Sequence, residues 1–174
     1  MGMQKNDIKE IRIKIPDKFA KILKNERIPK VMDGVGGIIP QVFSFHHITV
    51  TGTSEFNDYE TFGDDEHGTF GFRQETTLST NDIGSTLLTW RKGFGGEERV
   101  EIDIEGSLAS NGVLGVNIQI RFYEGATEGT TELEDSRVFQ AVIPPNQTSN
   151  FNIHLANDED DWVTVRGSIG NRKI

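Results

Sequence analysis

Cysteine is absent from this 174-residue chain. That removes a disulfide framework, a cysteine-ligated zinc or iron–sulfur centre and a thiol nucleophile in one step. Proline is scarce, at five residues, and no apolar run approaches the roughly 18–20 residues of a membrane helix. Tryptophan and tyrosine number two each against eleven phenylalanines, so most of the aromatic content suits a core rather than an exposed ligand platform. Catalytic signatures are missing as well. No Gly-x-Ser-x-Gly elbow occurs. Gly34-Val35-Gly36-Gly37 lacks the Lys and Ser/Thr of a phosphate loop, and Gly93-Phe94-Gly95-Gly96 does not open a helix. The reading leans away from an enzyme.

What the chain has in excess is negative charge, and it is unevenly placed. The net charge is −9. Residues 1–30 hold nine bases against four acids, a net of +5, while the remainder holds nine bases against twenty-three acids, a net of −14. An acidic body should repel nucleic acid, whose affinity for proteins comes largely from neutralised phosphates. A basic arm on such a body points instead to docking on a protein partner or on another copy. The start of the chain carries no apolar stretch of signal-peptide length, and the default expectation is cytoplasmic.

Periodicity divides the chain at residue 41. In the 1–41 segment, Ile11, Ile13 and Ile15 alternate with polar residues and predict a short strand. Asp17 is placed to cap a helix over 18–25, with Phe19, Ile22 and Leu23 on one side and Lys18, Lys21 and Lys24 on the other. A glycine-rich apolar connector follows. The 17–39 segment, a short basic amphipathic helix followed by the connector, has the makings of a membrane-surface element, although packing on protein explains the same apolar side.

Residues 42–174 predict strand after strand at spacings of roughly 10–15 residues, the pattern of an antiparallel sandwich or barrel. The expected fold is all-β, a jelly-roll-like antiparallel β-sandwich of eight or nine strands with one short N-terminal helix; a partly closed barrel is the alternative. Residues 52–68 read as a polar, acidic loop, and 136–143, apolar on both faces, as a central or doubly covered strand.

One hairpin permits a register prediction. Val100, Ile102, Ile104 and Leu108 share a parity, as do Leu114, Val116, Ile118, Ile120 and Phe122. A two-residue Asn111-Gly112 loop would set every apolar residue against a polar one, which a one-faced sheet cannot tolerate. A three-residue loop, Ser110-Asn111-Gly112 with Gly112 left-handed, pairs Leu108 with Leu114, Ile104 with Ile118, Ile102 with Ile120 and Val100 with Phe122. Glu101 then meets Arg121 on the wet face.

Candidate functional residues fall in two sets. Glu132, Glu134 and Asp135 in one loop, and Asp158, Asp160 and Asp161 in another, are candidate metal ligands, because Ca2+ takes six to eight oxygens from such acidic loops. Asp64-Asp65-Glu66-His67 forms a third acidic loop. Trp162, Tyr123 and Trp90 are candidate ligand-binding aromatics, suited to a calcium-assisted glycan-binding module. His46 and His47 are adjacent in an expected strand and therefore point to opposite faces, so they cannot chelate one metal.

Overall fold

β-Branched and aromatic residues alternate with polar ones through the body of the chain, and each alternating run forms a strand with one buried face. A computed structural model describes residues 43–59, 66–80, 82–127, 129–157 and 161–174. The strands are β1 (Phe45–Asp58), β2 (Glu66–Ser79), β3 (Ser85–Phe94), β4 (Glu98–Leu108), β5 (Leu114–Tyr123), β6 (Leu133–Ile143), β7 (Gln147–Ala156) and β8 (Trp162–Lys173). No helix occurs among the described residues. The expected strand over 10–15 and helix over 18–25 lie outside them.

The eight strands form two four-stranded antiparallel sheets, in the orders β2-β1-β8-β7 and β3-β4-β5-β6. The fold is thus an open β-sandwich, not a closed barrel. Its connectivity differs from that of a jelly roll, in which consecutive strands cross between sheets. Here every strand neighbours its sequence neighbour, except where β2 hands over to β3 and β6 to β7, and β1 pairs with β8. Sequence-adjacent strands pair within each sheet, as short links favour, and the chain passes from one sheet to the other between β2 and β3 and, through residues 144–146, between β6 and β7. The last residue returns to the first strand, where the Ile174 N–H donates to the Phe45 carbonyl at 3.0 Å.

The β4–β5 register is the one the apolar pattern demands. Leu108 faces Leu114, Ile104 faces Ile118, Ile102 faces Ile120 and Val100 faces Phe122. Gly112 has φ +79°, a conformation that L side chains rarely adopt. The Ala109 N–H donates to the Val113 carbonyl at 2.9 Å, closing the loop below. On the outer face Glu101 sits among Arg91, Arg99 and Arg121 at 3.1–3.3 Å.

Two expectations are corrected. Within the 52–68 stretch the described residues are mostly strand: β1 runs through Gly52 to Asp58 and β2 begins at Glu66. Gly52 looks like a breaker, yet it faces Gly167 across the β1–β8 pair and Phe72 across the β1–β2 pair. A Cβ on Gly52 would lie 2.4 Å from the Phe72 ring, and one on Gly167 the same distance from the Phe151 ring. The two rings fill the space that the glycines vacate. Nor is the 136–143 strand central: β6 is an edge, and Val138 and Val142 on its outer side are 51% and 57% exposed.

The core lies between the sheets. It includes Ile48, Val50 and Phe56 of β1, Val100, Ile102 and Ile104 of β4, Leu114 to Phe122 at alternate positions of β5, and Val163, Val165 and Ile169 of β8. Burial of these side chains drives the sandwich together.

Candidate functional site

The inward parity of the strands does not stop where the apolar residues stop. In β1 the inward positions run Ile48, Val50, Gly52, Ser54, Phe56 and then Asp58. In β4, running the other way, Ile104, Ile102 and Val100 lead to Glu98. In β8, Val165 and Val163 lead back to Asp161. Extending β5 past Phe122 gives Glu124, and extending β7 past Leu155 gives Asn157. Period-two geometry therefore aims five polar side chains, four of them acids, at one end of the interior.

Among the described residues, Asp58, Glu98 and Asp161 are the group whose ligand atoms gather within 4.8 Å of one another. All three are buried: Asp58 is 8%, Asp161 4% and Glu98 1% exposed. Asp161 is held by its turn. Its Oδ1 accepts the Tyr59 N–H at 2.6 Å, its Oδ2 accepts Asn157 Nδ2 at 2.7 Å, and its own N–H donates to Asn157 Oδ1 at 2.9 Å. Asn157 Nδ2 also donates to Glu124 Oε2. Asp58 is accommodated by the β3–β4 turn. Gly95 has φ +63°, and a Cβ there would lie 1.8 Å from Asp58 Oδ2.

Glu98 stands apart. Both of its carboxylate oxygens are buried without a hydrogen-bond partner. Burial, compounded by the neighbouring charges of Asp58, Asp161 and Glu124, pushes its carboxyl up to about 9. An unpaired buried carboxylate is costly, and neutralisation by a proton or a bound cation relieves it.

The residues singled out from sequence are dispersed. Asp161 joins the buried cluster. Glu132 and Glu134 are exposed, and Asp135 is half-buried beside Arg137 and accepts the Ser136 N–H at 2.7 Å. Asp158 and Asp160 lie outside the described residues, as do Asp64 and Asp65. Trp162 is half-buried on the outer face of its sheet, its ring 5.6 Å from that of His154. Tyr123 lies on the outer face of the other sheet with the Arg99 guanidinium 4.4 Å from its ring centre. Trp90 packs against the core, 5.4 Å from the Phe72 ring. The three aromatics thus do not share a surface.

At the other end of the sandwich, His46 and His47 separate as strand geometry requires. His47 faces outward, 3.3 Å from Glu75, whose carboxyl Arg73 holds below its ordinary range. His46 is fully buried. Asn171 Nδ2 donates to the Gly112 and Ile143 carbonyls at 3.0 and 2.9 Å. Its Oδ1 is therefore left to accept from His46 Nδ1 at 2.6 Å. This clamp joins β1 and β8 to the β4–β5 turn and the end of β6. Nearby, residues 146–148 and 170–172 line a shallow open depression of about 410 Å3.

No protein-family model matches the sequence, and no curated protein matches it. Among solved structures, the chain has a weak similarity to the Salmonella SPI-1 type III secretion injectisome secretin InvG (residues 176-end, open gate state). The TM-score is 0.25 at 8% identity, over 76% of this chain and 60% of that one. This chain spans less than two thirds of the secretin chain's length, and a similarity of this size carries no functional argument.

Proposed function

We propose that this chain is a non-enzymatic binding or assembly module, in which the basic N-terminal segment docks on the acidic β-sandwich of another copy or of a partner protein. The observation that carries this reading is the separation of +5 over residues 1–30 from −14 over the rest. Complementary charge of this kind steers association and fixes orientation more than it adds raw affinity. Val138 and Val142, exposed on the β6 edge, offer apolar area on the sandwich surface. An enzymatic reading finds less support. Glu98, whose raised pKa would suit a general acid, is only 1% exposed, and the open depression lies at the opposite end.

A calcium-assisted module is the second reading. It is favoured by Trp162, a candidate glycan contact, directly following Asp161 of the acidic cluster. The docking reading is tested in the full chain with the triple charge reversal K18E/K21E/K24E, by sedimentation at low and high salt. Wild type should self-associate at low ionic strength and dissociate as salt screens the contact, while the variant stays monomeric throughout. A wild-type chain that remains monomeric at low salt and high concentration ends the self-docking idea.

A further inference from the structure

We propose that Asp58, Glu98 and Asp161 form a divalent-cation site, with calcium as its ion, at the end of the sandwich where β1, β4 and β8 converge. This goes beyond the docking reading and stands without it.

Three observations carry the site. First, the three side chains come from distant parts of the sequence, yet their oxygens gather within 4.8 Å. Asp58 and Glu98 occupy inward strand positions, where the fold elsewhere places Ile, Val or Phe, and Asp161 directly precedes β8 in the phase of its inward residues. Repulsion among three close carboxylates opposes this placement unless a positive charge is shared between them. Second, Glu98 is 1% exposed and both of its oxygens lack a partner. A buried carboxylate with no donor has its coordinating lone pairs unused. Third, the surroundings are built of oxygen. Asp161 and Glu124 are tied together through the amide of Asn157, which fixes their orientation and brings a fourth carboxylate near. That set of hard oxygen donors suits Ca2+, which takes six to eight oxygens in flexible geometry, with waters completing the shell. The chain has no cysteine and no histidine among the described residues joins the group, so softer metals lack their usual ligands there.

The ion would act as a rivet. Asp58 and Asp161 belong to the sheet of β1 and β8, and Glu98 to the sheet of β4. A cation among them joins the two sheets at the end opposite the His46–Asn171 clamp.

The test uses the full chain, with calcium and terbium as probes. Thermal melting in EDTA is compared with melting in millimolar calcium; a ligand bound only by the folded state must raise Tm. We expect a rise on the order of 5 °C for a site saturated well above its Kd. Terbium should show emission sensitised by Trp162, adjacent to Asp161, and calcium should displace it. Glu98→Gln should abolish the calcium-dependent rise and the terbium signal while still melting cooperatively in EDTA. Trp162→Phe should lose the sensitised emission but keep the calcium-dependent rise. Glu105→Gln, at an exposed carboxylate of the same strand, should change neither. The proposal is overturned if calcium leaves Tm flat and terbium stays dark, or if E105Q weakens binding as much as E98Q, since ions would then be screening the acidic surface.

Discussion

Replacing Glu98 by Gln should make the metal-free protein more stable, an unusual outcome for a buried polar residue. The sign follows from the carboxyl's two environments. In the unfolded chain it titrates near 4.5; in the folded chain burial and the charges of Asp58, Asp161 and Glu124 push it up to about 9. Below pH 4.5 it is protonated in both states and adds no pH dependence. Between 4.5 and about 9 the folded chain keeps a proton that the unfolded chain releases, so stability falls as pH rises. Each pH unit in that window costs about 1.4 kcal/mol. From pH 4.5 to neutrality the accumulated cost is on the order of 3 kcal/mol. Gln has nearly the same shape, carries no proton to lose, and can donate to the carboxylates of Asp58 and Asp161. In EDTA at pH 7, E98Q should therefore melt higher than wild type by on the order of 10 °C. The two should converge near pH 4.5. The assay is thermal or urea unfolding followed across pH 4.5–9 in EDTA. Parallel wild-type and variant profiles, or an E98Q protein less stable at pH 7–8 than at pH 5 by the same margin as wild type, would refute the reasoning.

Two further outcomes follow from the packing. Ile104→Ala removes a fully buried side chain facing Ile118 and should cost about 2–5 kcal/mol by urea denaturation. Asn171→Ala leaves the Gly112 and Ile143 carbonyls and His46 Nδ1 without their partner. It should cost roughly 2–4 kcal/mol, and hydrogen exchange should show the β4–β5 turn loosening first.

How much of this was readable from the sequence depends on the element. The β4–β5 hairpin could be derived in full, because only one loop length puts Ile104 opposite Ile118. The long β1 could not. Gly52 mimics a break, and the ring that fills its space, Phe72, comes from a strand 20 residues away, while Phe151 fills the space at Gly167, which faces Gly52 across the β1–β8 pair. β6 misled in another way: Val138 and Phe139 are both apolar, and composition alone does not say which face an edge strand leaves bare. The strand order escaped because sheet pairing is a long-range property: even the three-residue 144–146 link joins strands of different sheets. The buried acids were missed for a simpler reason. Acidic loops stand out as clusters along the chain, whereas Asp58 and Glu98 lie at the ends of β1 and β4 and Asp161 directly precedes β8. The signal was available in parity: in each strand the inward series that reads Ile, Val, Phe ends on a carboxylate. Asp161 lay within a sequence cluster, and Asp58 and Glu98 did not.

The sequential order of the strands bears on how the molecule assembles. Hairpins β1–β2, β7–β8 and the β3-to-β6 meander each pair residues close in the chain and can form early and separately. Among the described residues, one ladder, His46 with Lys173 through Asn57 with Trp162, must bring together segments more than about 100 residues apart. Most of the search for the native state is thus concentrated in a single closure. Sequence changes that alter the refolding rate without altering the hairpins should cluster along that seam, where Gly52 and Gly167 meet.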